Sequence, residues 1–188
     1  MTGKTAPRPT IFTAGHGTRS IEEFLAILQD AGICRVADVR TAPGSRKHPQ
    51  FGQKELQASL LAEGIEYVWR KDLGGWRKPR PDSPHVSLRS PAFRGYADYM
   101  DTEEFDRAIR CLIETSADMP TAFMCAESVW WRCHRRMIAD ALTARACTVI
   151  HLTAEGTPQR HRLHPSVRLD GVRLIYDGED QYQQRLPT

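Results

Sequence analysis

The chain has 188 residues, of which 40% are hydrophobic and 26% are charged, and its formal net charge at pH 7 is +3. These values are typical of one folded domain with a substantial core, and they exclude a disordered tail protein, a collagen-like chain and a coiled-coil rod. No apolar stretch approaches the roughly 18 residues that a membrane span requires, and residues 1–10 lack the apolar core of a secretory signal. We therefore expect a cytoplasmic protein without a membrane partner.

The first third of the chain alternates predicted strands with predicted helices. A short strand over Thr10–Gly15 runs into a glycine-rich loop, and Ser20 with Glu23 forms a capping box that opens a helix ending at Gly32. The next predicted elements are a strand over residues 35–40, a helix from about 52 to 63 and a strand over residues 65–69.

The rest of the chain begins with a long interrupted loop over residues 72–92, of a length that is usually functional or disordered. Helical spacing resumes around residues 96–100 and again from about 102 to 113. A strongly apolar strand over Thr121–Cys125, a helix over about 131–144 and a strand over residues 147–152 follow. Two short strands around Asp170-Gly171 are typical of a terminal hairpin.

This alternation predicts a single α/β domain, doubly wound, with a mostly parallel five-stranded sheet between two layers of helices, as in Rossmann-like folds. Right-handed crossovers suggest the strand order 3-2-1-4-5. The domain would span residues 11–152, after a flexible N-terminal segment of residues 1–10. Residues 153–188 would form a C-terminal extension, with its hairpin packed on the same domain.

Reactive side chains follow three of the predicted strands. His16 follows the first, Asp38 and Arg40 end the second, and Cys125 and Glu127 end the fourth. In an open parallel sheet the ligand crevice lies at the carboxyl ends of the strands, where the order reverses, and here that point lies between strands one and four. We therefore expect these side chains to share one polar hollow.

The helix after the fourth strand begins with a run that contains Cys133, His134 and Arg135. A helix N-terminus and neighbouring cations favour a thiolate, so Cys133 is a candidate nucleophile or redox thiol. The same backbone N–H groups could instead hold a phosphate or carboxylate, with Arg135 adding a charge-assisted fork. Glu127 directly after a buried strand would be costly unless it is paired or faces the crevice.

Each of these residues also has a structural interpretation. Cys125 could be an inert core thiol, His16 could cap the next helix, and Asp38 and Arg40 could be an ion pair. The spacing Cys-x7-Cys-His is not a standard zinc-finger pattern, so we predict no cofactor and no metal and keep a metal as the minority alternative.

The long loop and its flanks interleave basic and aromatic residues, which is typical of a site for a nucleotide or a single-stranded nucleic acid. A solvated basic loop is the competing interpretation. The residues concerned are Arg70, Lys71, Arg77, Lys78, Arg80, Arg89 and Arg94, with Trp69, Trp76 and Phe93.

Several motifs resemble, in order and over roughly residues 11–152, the bacterial family of the domain of unknown function 488. They are His16, Asp38-Val39-Arg40, Pro43-x-Ser45, Phe51, Leu73-Gly74-Gly75, the run Phe93-Arg94-Gly95-Tyr96-Ala97-Asp98-Tyr99-Met100, and Cys125-Ala126-Glu127 with Cys133-His134-Arg135. The resemblance implies no established activity, and its two characteristic cysteines would be Cys125 and Cys133. The family often has a serine directly after the histidine, where this chain has Gly17-Thr18.

The leading expectation is an enzyme of hydrolase type that acts on a nucleotide, a nucleic acid or another phosphate-bearing substrate. Its predicted catalytic residues are Cys125, Glu127, Cys133, His134 and His16, and its predicted substrate-binding residues are Asp38, Arg40, Ser45, Arg94, Tyr96 and Arg135. The alternatives are a nucleic-acid-binding or adaptor module without catalysis, and a redox sensor in which Cys125 and Cys133 pair reversibly.

Overall fold

The computed structural model describes residues 9–153 and 157–178, so most of the N-terminal segment predicted to be flexible lies outside the described residues. The strands are β1 (Thr10–Gly15), β2 (Arg35–Asp38), β3 (Glu66–Trp69), β4 (Thr121–Cys125), β5 (Thr148–Leu152), β6 (Gln159–Arg160), β7 (Val167–Asp170) and β8 (Arg173–Tyr176). The helices are α1 (Ile21–Asp30), α2 (Gln53–Ala62), α3 (Pro91–Met100), α4 (Glu103–Asp118) and α5 (Arg135–Ala144).

The central sheet has the order β3-β2-β4-β1-β5-β6. Its first five strands are parallel, and the two-residue β6 pairs antiparallel with β5. The predicted α/β class and parallel sheet are confirmed, but the predicted order 3-2-1-4-5 is wrong, because β4 lies between β2 and β1. The sheet also has a sixth strand. In this register Gly15 of β1 lies beside Cys125 of β4.

Helices cover both faces of the sheet, and each face has its own apolar core. Helices α3, α4 and α5 pack on one face, against side chains that include Phe123 and Cys125. Helices α1 and α2 pack on the other, against side chains that include Ala122 and Met124. Successive residues of β4 therefore point to opposite cores, and all five are buried. The helices that follow the adjacent strands β1 and β4 lie on opposite faces, which opens a crevice at their carboxyl ends.

The predicted C-terminal hairpin is confirmed as β7 paired antiparallel with β8. Gly171 has a φ of 60° in its turn, a left-handed conformation that glycine adopts without steric cost. The hydroxyl of Tyr176 in β8 donates to Oδ2 of Asp140 in α5 at 2.9 Å, which anchors the hairpin to the main core. Among the described residues, the structure contains no helix that is long and apolar enough to cross a membrane.

The connection from β4 to α5 differs from the prediction. A helix was expected from about residue 131, but Trp130–Arg132 form a 3-10 turn and α5 begins only at Arg135. Between them Cys133 is extended, with φ of −126° and ψ of 154°, and His134 is the N-cap of α5. Cys133 therefore lies just before the helix and not in its first turn.

Candidate functional site

Two thiols and one imidazole converge at the carboxyl edge of the sheet. The Sγ atom of Cys133 lies 3.5 Å from Nδ1 of His134, and the Sγ atom of Cys125 lies 4.0 Å from the same nitrogen. All three atoms lie within 4.8 Å of one another. Cys125 comes from the end of β4, and the other two residues come from the segment just before α5, so the fold joins two segments here. We call these three residues the thiol–imidazole cluster.

The imidazole of His134 has a defined orientation. Its Nε2 lies 3.1 Å from the carbonyl oxygen of Val39, which can only accept a hydrogen bond, so Nε2 carries the proton. In the neutral ring, Nδ1 then has a lone pair that faces the two sulfurs. The ring also packs on Tyr96, with the ring centroids 5.2 Å apart. The cluster is therefore a set of three electron-pair donors directed at one small volume.

The two thiols have opposite acid–base properties. A hydrogen bond from the thiol of Cys125 lowers the pKa of Cys133 well below its ordinary value, and the charge of Arg135 acts in the same direction. The same hydrogen bond, together with burial, raises the pKa of Cys125. Both residues are nearly enclosed, with exposed fractions of 9% for Cys125 and 6% for Cys133. Cys133 is therefore the thiol that ionises first.

Arg135 has the largest fully buried side chain among the residues that the structure describes, and it binds protein groups. Its guanidinium donates to Oγ1 of Thr13 at 3.1 Å and to the backbone carbonyls of Glu127 and Ser128. A side chain at Gly15 would collide with the Glu127 carbonyl and with this guanidinium, so this position in β1 requires glycine. Arg135 thus fixes the loop that connects the two thiols.

Glu127 lies at the exposed rim of the same loop. Its Oε1 accepts a hydrogen bond from the backbone N–H of Val129 at 3.1 Å. The side chain is exposed, so the carboxylate does not carry the free-energy cost of burying a charge. Glu127 is only two residues from Cys125 in the sequence. Its carboxylate, however, is hydrogen-bonded to Val129 in the same turn.

His16 faces the opposite core. Its ring stacks on Phe51, with the centroids 4.1 Å apart, and its Nδ1–H donates to the carbonyl of Gly17 at 3.0 Å. Phe51 belongs to the core beneath α1 and α2, whereas Cys125 belongs to the core beneath α3 to α5. Burial, followed by the charge of Arg40, lowers the pKa of His16 to about 4, so the ring is neutral at pH 7.

Asp38 and Arg40 form a buried ion pair near His16. The Arg40 guanidinium donates to both carboxylate oxygens of Asp38 and to the carbonyl of Phe51. The hydroxyl of Tyr67 donates to the same carboxylate at 2.9 Å. His16 and this ion pair thus adjoin the core beneath α1 and α2, and the thiol–imidazole cluster adjoins the core beneath α3 to α5. The two sets meet at the strand ends, where the backbone N–H of His16 donates to the carbonyl of Cys125 at 3.2 Å.

The remaining predicted binding residues are distributed around these groups. Tyr96 is buried against His134, and its hydroxyl donates to the carbonyl of Leu73 at 2.9 Å. Arg94 donates to the carbonyl of Leu88, and Oγ of Ser45 accepts from the backbone N–H of His48. Of the three, Tyr96 alone has a described contact with the cluster.

The structure brings Gly75 of the long loop next to the thiol–imidazole cluster, a proximity that was not predicted from the sequence. Gly75 approaches His134 so closely that a Cβ there would lie 3.3 Å from Nδ1. The carbonyl of Gly75 accepts from Oγ1 of Thr41 at 3.1 Å, which ties the long loop to the end of β2. The next residue, Trp76, is 82% exposed and has a φ of 58°, a strained conformation for a bulky residue. In the sequence, the signals for this segment are the paired glycines and the interleaved basic and aromatic residues that include Trp76.

The family model described as the domain of unknown function DUF488 matches residues 20–142, so the chain belongs to this family. The match includes every member of the thiol–imidazole cluster. No curated protein and no solved structure matches the chain.

Proposed function

We propose that this member of the DUF488 family is a hydrolase that acts on a phosphate-bearing substrate, a nucleotide or a nucleic acid, with its reaction centre at the thiol–imidazole cluster. The observation that carries the proposal is the convergence of Cys125, Cys133 and His134 at the crevice between β1 and β4. Packing alone does not require this set, because small apolar side chains would fill the same space without the cost of burying polar atoms.

The surroundings of the cluster support a flat, charged substrate. Trp76 follows Gly75, where an added Cβ would lie 3.3 Å from Nδ1 of His134, and Trp131 is two residues before Cys133. The Cα of Trp76 thus lies about 4 Å from that of Gly75, and the Cα of Trp131 lies at most about 7 Å from that of Cys133. Their exposed fractions are 82% and 50%, and exposed rings of this kind are used to stack nucleobases.

Basic side chains lie along the same two segments and would bind phosphate groups. Lys78 and Arg132 are exposed, and the guanidinium of Arg77 lies 3.6 Å above the ring of Tyr99. Arg40 and Arg135, by contrast, already donate to protein groups. In this proposal the exposed cations bind the substrate, and the two buried guanidinium groups hold the loops in place.

Glu127 is assigned the role of general base. It is the exposed carboxylate at the rim, and Arg135 holds its backbone through the Glu127 carbonyl. A carboxylate in reach of the attacking water contributes about 100-fold to 10,000-fold to a hydrolytic rate. A side-chain rotation that breaks the hydrogen bond from the Val129 N–H would free the carboxylate for this role.

The test is a turnover assay on a panel of nucleoside phosphates, single-stranded DNA and single-stranded RNA. We expect wild-type protein to hydrolyse at least one of them, and Cys133→Ser and His134→Ala to reduce the rate at least ~100-fold. Cys34→Ser is the matched control, because Cys34 is an exposed thiol before β2, at the opposite edge of the sheet, and should retain full activity. Binding that weakens steeply with salt, without any turnover, would contradict the hydrolase and favour a binding module.

The proximity of the two cluster sulfurs favours a second candidate, a redox sensor. Hydrogen peroxide would convert the thiols of Cys125 and Cys133 into one disulfide while it is reduced to two water molecules. Mass spectrometry after mild oxidation should then show this linkage and a loss of two alkylatable thiols. An unchanged number of alkylatable thiols would contradict this candidate.

A further inference from the structure

The thiol–imidazole cluster has the donor set and the spacing of a zinc site. In a tetrahedral site, Zn–S distances of about 2.3 Å and Zn–N distances of about 2.0–2.1 Å place neighbouring ligand atoms about 3.5–3.8 Å apart. The observed separations from Nδ1 of His134 are 3.5 Å to the Cys133 sulfur and 4.0 Å to the Cys125 sulfur. Small side-chain rotations are enough to bring the three atoms around one ion.

His134 is oriented in the way that metal-binding histidines usually are. Its Nε2–H donates to the carbonyl of Val39, and Nδ1 faces the two sulfurs. A backbone carbonyl bound to the far nitrogen is a common outer partner of a metal-binding imidazole, because it fixes the tautomer and the ring plane. A disulfide between the same cysteines would use neither this lone pair nor this orientation.

Glycine at position 75 avoids a close contact with the imidazole of the cluster. A Cβ at Gly75 would lie 3.3 Å from Nδ1 of His134, so a larger residue there would crowd the ligand atom. Within the described parts of the chain, the group of metal-binding side chains has these three members and no fourth. Three protein ligands are typical of catalytic zinc sites, in which water or substrate takes the fourth position, whereas structural sites have four.

The local charge also suits a divalent cation. Two cysteine thiolates would offset the charge of one Zn²⁺, with the two thiol protons released to solvent. Of the two nearby cations, Arg40 is paired with Asp38, and Arg135 directs its terminal N–H groups to Thr13 and to backbone carbonyls and not to the sulfurs. Two thiolates with one imidazole also favour zinc over magnesium or calcium, which prefer oxygen ligands.

We infer that Cys125, Cys133 and His134 bind one Zn²⁺ through two Sγ atoms and Nδ1, with a fourth position open to water. Metal binding stands on this geometry alone, and its use in catalysis rests on the proposed function. There the ion would lower the pKa of its bound water and so supply hydroxide at neutral pH.

The experiment is a titration of chelator-treated, full-length protein with Zn²⁺ alone, and separately with Co²⁺ as a coloured substitute. We expect one ion per chain, with the thiolate-to-cobalt charge-transfer absorption of a site with cysteine ligands. Cys125→Ser and Cys133→Ser should each bind at least ~100-fold more weakly, because loss of even an outer partner costs about 10–100-fold. Cys34→Ser should bind like wild type.

The fold of each variant is checked by circular dichroism without metal. If a cysteine variant does not fold, Gly75→Ala takes its place, because its Cβ would crowd Nδ1 and weaken Co²⁺ binding while leaving all three ligands. Binding below one ion per chain, or binding that both cysteine variants retain at full strength, would overturn the inference.

The outcomes separate this inference from the proposed function. Full hydrolytic activity in metal-free protein would overturn the use of zinc in catalysis and leave the hydrolase standing. Stoichiometric zinc without turnover of any substrate would support the site and contradict the hydrolase. A Co²⁺ spectrum that shifts when cyanide is added would support the open fourth position, and an unchanged spectrum would overturn it.

Discussion

His151 in β5 should make the protein less stable as the pH falls. Its Nε2–H donates to Nδ1 of His161 at 2.9 Å, and Nε2 of His161 donates to Asp140 at the same distance. The ring of His151 is 1% exposed and stacks on Trp130, with the centroids 3.9 Å apart. Burial is the main cause that lowers the pKa of His151 to about 2, and the charge of Arg135 acts in the same direction.

The magnitude follows from proton linkage. An unfolded histidine has a pKa of 6.5, so below that pH the unfolded chain binds a proton at this position that the folded chain does not. His151 therefore gives its full stability above pH 6.5 and loses it as the pH falls. Between pH 7 and pH 5 the loss in the free energy of unfolding is about 2 kcal/mol. Any folded pKa below about 4 gives nearly the same loss over this interval.

The assay is urea unfolding at several pH values between 7 and 5, for wild type and for His151→Gln. The glutamine amide can still donate to His161, but it does not titrate. We expect the free energy of unfolding of the variant to fall by about 2 kcal/mol less than that of wild type. His16, with its lowered pKa, is present in both proteins and cancels in the comparison. Equal pH dependence would show that His151 is protonated in the folded protein, and would refute the reasoning.

Three substitutions test other parts of the structure. Asp38→Asn removes the carboxylate of the buried Arg40 and should cost about 3–5 kcal/mol in urea unfolding, and a loss below 1 kcal/mol would contradict the pair. Trp76→Gly relieves a left-handed backbone and should raise stability by about 1 kcal/mol. It should also weaken nucleotide binding, and unchanged affinity would argue against stacking. Gly15→Ala should lower Tm because its Cβ collides with Arg135, and an unchanged Tm would contradict the packing.

The fold class could be predicted because the strand and helix periodicities are local. The order of the strands could not, since β1 and β4 are both buried on their two faces. If two such strands exchanged places in the sheet, the apolar side chains of both would still be buried. What decides between the orders is the set of long connections and the fit of particular pairs, such as Gly15 beside Cys125, and neither has a local signal.

The start of α5 shows a similar limit. Trp130, Trp131 and Arg132 continue the apolar and basic pattern that begins a helix, and they form one 3-10 turn. Trp130 stacks on His151 of β5, a distant contact that holds the turn in place. Cys133 is extended as a result. A tertiary contact thus sets the position of this thiol, which local propensity placed inside the helix.

The sequence predicts which residues lie in the thiol–imidazole cluster, but it does not predict which other polar residues lie outside it. Strand ends and the start of α5 correctly indicate that Cys125, Cys133 and His134 lie near the same edge. The separation of the Asp38 group follows from alternation, because Asp38 and Val39 at the end of β2 point to opposite cores. A shift of one residue at a strand end moves a side chain to the other face, and the sequence does not mark where each strand ends.

Arg135 shows most clearly how a residue that looks like a ligand-binding group can serve the fold. Its position beside Cys133 and His134 suggests an anion site, but its two terminal nitrogens donate to Thr13 and to the carbonyls of the β4–α5 loop. Those carbonyls belong to Glu127 and Ser128, just after Cys125. In the proposed site this loop would hold two sulfurs at a fixed distance from one nitrogen, and a buried cation that binds its backbone would contribute the rigidity for that. Arg135 is therefore a positioning residue in the proposed site.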